Sequence, residues 1–171
     1  MMPDRLRPMQ EDDLEAVLAW RNHPEVRRYM YTRHEIGLEE HCRWFAHAVA
    51  QPGKHLLIFE ADGRPCGFAN LTQHGTDPIA DWGFYLAPDA PRGAGQRLGR
   101  AVLAYAFDTL VLHKLCGEVL AHNERSLRFH RRLGFEEEGR LRDQHYDGEH
   151  FYAVVCFGLL RHEWQPTAGE P

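Results

Sequence analysis

The sequence predicts a single α/β domain built on one mixed sheet with helices on both faces. Three observations predict it. The chain has 171 residues, of which 43% are apolar, which is enough for one core and short for two. Strand-like runs follow one another in the first half, whereas helical runs alternate with strands in the second half. Turn residues separate the runs. We therefore expect one domain over residues 1–164 and a flexible polar tail at 165–171.

The first third of the chain predicts one strand and two helices. Residues 5–8 form a short strand-like run, and the acidic residues 11–13 then begin a helix, because carboxylates stabilise a helix N-terminus. Pro24 ends that helix, since proline disfavours helical backbone at the preceding residue. A second helix is expected over residues 38–50, where apolar side chains recur at helical spacing.

Three strands are expected next. Residues 55–61 and 65–72 are joined by Asp62-Gly63, a dipeptide that favours a tight hairpin turn. A third run, 81–87, has a proline close to each end. Consecutive strands of this kind favour antiparallel pairing in this part of the sheet.

The segment Pro91-Arg-Gly-Ala-Gly-Gln-Arg-Leu98 is the most informative stretch of the chain. It places a glycine turn directly before a helix that runs to about residue 110. Because Gly93 and Gly95 have no Cβ, backbone N–H groups can converge there on a phosphate, and the helix N-terminus adds a partial positive charge. Alone the signal is weak, since such a turn is often only a connection. The strand before it and the run 123–135 after it favour a pyrophosphate-bearing cofactor.

The remaining elements complete the sheet. A strand is expected over residues 114–121, and Asn123 is a good N-cap for a helix at 126–133 that Gly134 closes. The final two strands are expected at 136–142 and 150–160. The predicted order is β-α-α-β-β-β-α-β-α-β-β, with seven strands and four helices.

Composition excludes several classes of protein. The formal net charge is −5 and the pI is near 6.2, so no overall basic field attracts nucleic acid. No apolar stretch approaches a membrane span, and the N-terminus has no apolar signal core, so a cytoplasmic enzyme is expected. Four cysteines without a close pair favour reduced thiols. Twelve histidines show no zinc-type spacing, so no metal is expected.

The glycine turn before the third helix and the run 123–135 after the fifth strand give the chain a resemblance to the GNAT superfamily of N-acetyltransferases, from Leu6 to Trp164. The resemblance implies a mostly antiparallel sheet that a bulge in strand 4 splays between strands 4 and 5, with acetyl-CoA in the cleft and its pyrophosphate on the glycine turn. Arg97 replaces the last small residue of the family's glycine pattern, where it could crowd a phosphate or pair with one. The implied cofactor-binding residues are Tyr85, Leu86, Ala87, Arg92, Gly93, Ala94, Gly95, Gln96, Arg97, Leu98, Asn123 and Ser126.

The resemblance also suggests catalytic roles. Seven residues after Asn123, many family members have a tyrosine that protonates the departing thiolate, and this chain has His130. A histidine can donate a proton, because its unperturbed pKa is about 6.5; the alternative is a histidine on the helix surface. Glu118 and His41 are candidate bases, acting through water. A backbone N–H from the stretch 85–87 is expected to stabilise the oxyanion.

A narrower resemblance concerns the acceptor amine. The run from Trp20-Arg21-Asn22 to Met30, with His41 and Trp44, is similar to the flagellin-glycosylation branch, which N-acetylates the 4-amino group of UDP-4-amino-4,6-dideoxy-N-acetyl-altrosamine in pseudaminic acid synthesis. Such an acceptor needs cations for its diphosphate, stacking surfaces for its base and an apolar contact for its methyl group. Met30 and Trp44 could instead be core residues. The expected acceptor-binding residues are Arg21, Met30, Tyr31, His41, Trp44, Thr72 and Tyr85.

Other acceptors stay open at this point. The second half of the chain agrees equally with relatives that acetylate ribosomal proteins or polyamines. A polyamine would require an acidic pocket, whereas the early loop offers arginine and histidine, which favours an anionic small molecule. A non-catalytic CoA-binding module is the alternative of another class, because the tyrosine is missing. Family members often form homodimers, and neither nucleic acid nor a membrane is expected as a partner.

Overall fold

A computed structural model describes residues 2–166 of the chain. One seven-stranded sheet runs through it in the order β1-β2-β3-β4-β5-β7-β6. The predicted mixed sheet is confirmed: the β4–β5 pair is parallel and the other neighbouring pairs are antiparallel. The strands are β1 Arg5–Pro8, β2 Lys54–Ala61, β3 Arg64–Gln73, β4 Ile79–Leu86, β5 Lys114–Leu120, β6 Glu136–Tyr146 and β7 Phe151–Leu160.

Five helices cover the sheet where four were predicted. The additional one is a single turn after Pro24, because proline at the first helical position begins a new turn while His23 stays extended with ψ 133°. The predicted long third helix changes its hydrogen-bond pattern to a π-helix over Tyr105–Thr109. The helices are α1 Leu14–Asn22, α2 Pro24–Arg27, α3 Leu38–Val49, α4 Ala94–Ala104 and α5 Glu124–Arg132.

The helices divide between the two faces of the sheet. Adjacent strand residues point to opposite faces, and a side chain on Gly67 of β3 would meet Leu98 of α4, whereas Phe68 packs against Trp44 of α3. On β4, Phe84 contacts Phe129 of α5, whereas the next residue, Tyr85, packs against Phe68 on the α3 face. One face therefore carries α4 and α5, and the other carries α1 and α3.

The sheet opens between its two central strands. β4 and β5 pair over Ile79–Lys114, Ala80–Leu115 and Asp81–Cys116, and beyond those pairs they diverge. The predicted bulge in strand 4 is wrong within the described residues, because β3 and β4 keep a regular register from Gly67–Leu86 to Gln73–Ala80. The opening therefore comes from β5 leaving β4, and it lies at the carboxyl ends of these two parallel strands.

Two expectations about the chain as a whole can be compared with the structure. All four cysteines are free thiols in the described part, with Cys66 buried and Cys42 exposed. No helix within residues 2–166 is long and apolar enough to cross a membrane. Most of the predicted tail, residues 167–171, lies outside the described residues.

Candidate active site

The glycine turn lies at the mouth of the opening. Gly93 is the N-cap of α4 and has a φ of +83°, the left-handed region that glycine adopts without strain. A Cβ on Gly95 would lie 3.4 Å from Leu86 of β4 and 3.8 Å from Phe129 of α5. The turn is therefore placed where β4, α4 and α5 meet. The N–H of Ala94 already donates to the carbonyl of Pro91 at 3.0 Å, so Gly95 and Gln96 are the first-turn residues whose N–H groups could bind a pyrophosphate.

The residues of this turn differ in what they can contribute. Arg92 is exposed and Gln96 is half-buried. The side chains of Ala94 and Leu98 are buried in the core, so these two residues could reach a ligand only through backbone atoms. Arg97 forms a 3.1 Å ion pair with Asp4, which directs its guanidinium to the N-terminal segment and explains how this position tolerates a large side chain.

Asn123 caps α5, as predicted. Its Oδ1 accepts a hydrogen bond from the backbone N–H of Ser126 at 3.2 Å. The cap fixes the first turn of α5 at the open end of β5. A contact of Asn123 or Ser126 with the cofactor stays a prediction.

The predicted oxyanion donor can be narrowed to one residue of the stretch 85–87. The N–H of Ala87 already donates to the carbonyl of Cys66 on β3, at 2.8 Å. Successive N–H groups of a strand point to alternate sides, so the N–H of Leu86 points away from β3 and into the opening, and that of Tyr85 points back toward β3. Leu86 is therefore the residue of the three whose N–H faces the cleft.

His130 lies in the core and does not face the cleft mouth. Only 2% of the surface of His130 is exposed to solvent. Its Nδ1 bonds to the carbonyl of Ser126 at 2.8 Å, and its Nε2 accepts from Trp82 Nε1 at 3.2 Å. Burial lowers the pKa of the imidazole to about 4. This geometry does not fit the predicted proton donor, because the only proton of the neutral ring is already bonded to Ser126.

A second set of polar residues lies on the opposite face of the sheet. Gly117 of β5 faces α5, so its neighbour Glu118 points to the face of α1 and α3. Glu118 Oε2 accepts a 2.8 Å hydrogen bond from the phenol of Tyr31, which lies in the loop after α2. Burial and this bond raise the pKa of the Tyr31 phenol. A carboxylate is thus positioned beside the opening, and its role as a base stays a prediction.

Arg21 and Tyr85 lie on this same face. Arg21 Nη2 donates to the carbonyl of Thr32 at 2.9 Å, which holds the loop against α1. Its other terminal nitrogen, Nη1, is buried and has no hydrogen-bond partner among residues 2–166. Burial lowers the pKa of this guanidinium, whereas the charge interaction with Tyr85 raises it by less. An uncompensated donor of this kind is costly in a core and is suited to an anionic or carbonyl ligand.

Other predicted acceptor residues take structural positions. The ring of Trp44 lies 5.2 Å from His41 and 5.9 Å from Phe68, so it belongs to the packing between α3 and the sheet. Burial lowers the pKa of His41, and its buried Nε2 has no hydrogen-bond partner among residues 2–166. Met30 packs against the core. These contacts favour the core interpretation for Trp44 and Met30, and a catalytic role of His41 stays a prediction.

Thr72 lies near the closed end of the opening. It pairs with Asp81 on β4, and Asp81 is the last β4 residue that still pairs with β5. Because β3 and β4 are antiparallel, the end of β3 lies at the closed end of the cleft. A contact of Thr72 with the acceptor stays a prediction.

No sequence pattern indicated a role in the site for the residues of the β6–β7 hairpin. Arg33 Nη1 donates to the carbonyl of Asp147 at 2.9 Å and so joins the loop after α2 to the hairpin. The ring of His145 lies 5.1 Å from that of Tyr31, and His122 stacks on Tyr152 at 4.0 Å. The hairpin thus forms a second wall on the α1 and α3 side of the opening, called the acceptor face below because the predicted acceptor residues Arg21, Tyr31 and Tyr85 lie there. Long-range strand pairing brings the hairpin to this position.

Three comparisons identify relatives of the chain. The acetyltransferase PseH of Campylobacter jejuni is 27% identical over 81% of this chain and 86% of the relative. The spermidine N(1)-acetyltransferase of Escherichia coli is 23% identical over 94% of this chain and 87% of the relative. A crystal structure of spermidine N-acetyltransferase from Vibrio cholerae, in complex with CoA and spermine, matches with a TM-score of 0.86 and 20% identity over 94% of this chain and 96% of that one.

The family model for the acetyltransferase (GNAT) domain matches residues 5–136, which contain the glycine turn, the opening between β4 and β5, and Asn123. The match confirms the predicted superfamily, and with it acetyl-CoA as the acetyl donor. The two PseH relatives agree with the predicted branch. The chain belongs to the GNAT family and is an acetyl-CoA-dependent N-acetyltransferase.

Proposed function

We propose that this N-acetyltransferase acts on the amine of an anionic, nucleotide-linked sugar, the 4-amino group of a UDP-4-amino-4,6-dideoxy sugar. The observation that carries the proposal is the buried, unpartnered Nη1 of Arg21, on the face opposite the glycine turn. A diphosphate oxygen or a uracil carbonyl would satisfy that donor. The resemblance of the first helix and its loop to the flagellin-glycosylation branch points to the same acceptor.

The charges on the acceptor face support an anion over a cation. Arg27 lies near enough to Arg21 to lower the pKa of Arg21 further, so a second positive charge accompanies Arg21. The carboxylates in contact with this loop each have a partner already, since Glu118 accepts from Tyr31, Asp147 pairs with Arg33 and Glu40 pairs with His34. A polyamine would need at least one further carboxylate for the ammonium groups that are not acetylated.

The chemistry follows from two faces that meet at the opening. Acetyl-CoA supplies the thioester, and the glycine turn with the first turn of α5 would hold its phosphate-bearing end. Glu118 takes the proton from the acceptor nitrogen as that nitrogen bonds to the thioester carbonyl carbon. The N–H of Leu86 stabilises the developing oxyanion. The carbon–sulfur bond then breaks, and the thiolate takes its proton from solvent, so His130 stays outside the proton path.

A direct transfer in a ternary complex needs little more than positioning. Both substrates are held across one narrow opening, which can supply much of the rate enhancement. We therefore propose no covalent acetyl-enzyme.

A second candidate acceptor is a polyamine or the N-terminus of a protein. The spermidine acetyltransferases favour the former, because the relative from Escherichia coli covers nearly the whole chain. The UDP-sugar is an anion and spermidine is a cation, so rates with a panel of amines distinguish these two acceptors.

The experiment is thiol release from acetyl-CoA with a UDP-4-amino-4,6-dideoxy sugar, spermidine and an N-terminal peptide, each at increasing concentration. The proposal expects the UDP-sugar to have the highest kcat/KM. Higher kcat/KM with spermidine would overturn the sugar acceptor and leave acetyl transfer itself intact.

A further inference from the structure

The point at which β4 and β5 separate is marked by one glycine and two aromatic side chains. Asp81–Cys116 is the last pair, and the next residues along the two strands are Trp82 and Gly117. A Cβ on Gly117 would lie 2.8 Å from both His130 Nε2 and Trp82 Nε1. The two side chains therefore meet directly over the backbone of β5, where no other residue than glycine leaves them room.

The hydrogen bond between these side chains has a defined direction. The indole N–H of Trp82 can only donate, so His130 Nε2 accepts at 3.2 Å. The other nitrogen then carries the proton and donates to the carbonyl of Ser126 at 2.8 Å. One buried ring thus links β4 to the first turn of α5, and both of its nitrogens are satisfied.

Aromatic packing holds the pair on both sides. Phe135 stacks on the Trp82 ring with centroids 5.5 Å apart and an angle of 8° between the planes. Phe157 stacks on His130 with centroids 5.0 Å apart and an angle of 14°. The orientation of each ring is therefore set by packing as well as by the hydrogen bond.

We propose that His130 is a positioning residue that acts through Trp82. By accepting from the indole N–H and donating to Ser126, it ties α5 to β4 at the closed end of the opening and so sets the width of the cleft that takes the thioester end of acetyl-CoA. It stands where family members use a proton donor, but its part in this enzyme is to accept a hydrogen bond. This role is independent of which amine is acetylated.

Three substitutions remove the same contact from different sides. Trp82→Phe keeps a ring and deletes the donor, His130→Leu deletes the acceptor, and Gly117→Ala places a methyl group between them. Each is expected to weaken acetyl-CoA binding at least about fivefold, the factor that the loss of one buried hydrogen bond represents. Trp164→Phe, which alters a ring stacked on Phe107 outside this cluster, is the matched control and should leave the affinity unchanged.

Calorimetric titration of folded protein with CoA measures this effect without any acceptor. Trp82→Phe and His130→Leu should not add in the double variant, because each removes the same bond. His130→Gln, whose amide oxygen can accept from the indole, should restore part of the affinity that His130→Leu loses. Unchanged CoA affinity in Trp82→Phe, or fully additive losses in the double variant, would overturn the proposal.

Nitrogen NMR tests the hydrogen bond itself. The ring of His130 should show the neutral form with its proton on Nδ1 from pH 6 to pH 8, and the Trp82 indole N–H signal, identified by its loss in Trp82→Phe, should shift on addition of CoA. A ring that titrates near neutrality, or carries its proton on Nε2, would restore the proton-donor role and contradict the positioning role. If His130→Leu fails to fold, these spectra of the wild-type protein still decide the question.

Discussion

The phenol of Tyr31 donates a 2.8 Å hydrogen bond to Glu118 Oε2, although 87 residues separate the two in the chain. The bond joins the loop after α2 to β5 beside the opening of the sheet. An amine nitrogen of the proposed acceptor is a donor like the phenol, so it can take the place of Tyr31 at the carboxylate. In the proposed mechanism, Glu118 is therefore the residue that joins the acceptor to the cofactor cleft.

The base role of Glu118 predicts a selective loss of turnover. Glu118→Gln keeps the shape of the side chain and removes its charge, so kcat should fall by about 10²-fold or more. CoA affinity should not change, because the glycine turn lies on the other face. Steady-state rates and calorimetry measure the two quantities, and Glu136→Gln, an exposed carboxylate at the start of β6, is the control. A kcat equal to that of the wild type would exclude Glu118 as the base.

The glycine turn predicts a binding defect from a single methyl group. Gly93 has a φ of +83° and a Cβ there would meet no atom within 4 Å in the described residues, so Gly93→Ala acts through backbone strain of about 1–2 kcal/mol and not through a clash. Gly75→Ala is a matched control, because Gly75 has a φ of +62° and equally open space within residues 2–166. Both variants should lose similar unfolding free energy, and Gly93→Ala alone should raise the KM for acetyl-CoA. Equal KM values in the two variants would argue against a phosphate site at the turn.

The unpartnered nitrogen of Arg21 predicts a change in acceptor preference. Arg21→Gln should lower kcat/KM for the UDP-sugar about tenfold or more, since a charge-assisted hydrogen bond is lost. The kcat/KM for spermidine should not fall, because spermidine has no anionic group for Arg21. Initial rates with both amines check this, with the exposed Arg43 of α3 changed to Gln as control. Equal losses with both acceptors would show that Arg21 only supports the loop.

An ion-pair network at the N-terminus predicts acid sensitivity. Arg7 donates to Asp13 at 2.7 Å and 2.8 Å and to Glu60 at 2.7 Å. The guanidinium holds the pKa of the Asp13 carboxyl below its ordinary value. A depressed carboxyl pKa contributes stability that is present above about pH 4 and is lost as the pH falls through the lower folded-state pKa.

Asp13→Asn should therefore lower the unfolding free energy by about 1.5–3 kcal/mol at pH 7. The difference from wild type should shrink as the pH falls below about 4, because both proteins then lack the charge. Urea unfolding at neutral and acid pH measures this. A difference that stays constant with pH would mean that packing, and not the ion pair, is responsible.

Sequence patterns predicted the parts of this fold that depend on neighbouring residues. Alternation and turn residues located all seven strands, and Asp62-Gly63, Gly93 and Asn123 marked a hairpin, a helix start and a cap. The end of β6 was placed too early, because the bulged register that pairs His145 with Tyr152 has no local signature. Likewise, the single turn α2 was not predicted. Proline both ends one helix and can begin the next, and the pattern around Pro24 indicates only the first of these.

The site was predictable to the extent that it is local. The glycine turn and Asn123 each lie within a short segment, so local patterns are enough to predict a cofactor-binding site there. His130 was placed correctly on its helix, but its role depends on Trp82, 48 residues earlier, and on packing that no motif encodes. The acceptor face is the least accessible to prediction from sequence, because the contacts of Tyr31 with Glu118 and of Arg33 with Asp147 arise only from the strand order of the sheet.

The most direct test of the proposed function is a competition in one reaction. An equimolar mixture of a UDP-4-amino-4,6-dideoxy sugar, spermidine and an N-terminal peptide is incubated with acetyl-CoA and the wild-type enzyme, and mass spectrometry follows the acetylated products. Relative initial rates then give relative kcat/KM values. We expect acetylation of the sugar 4-amino group first, with the other two amines largely unmodified until it is consumed. Acetylation of spermidine or of the peptide before the sugar would contradict the acceptor proposed here.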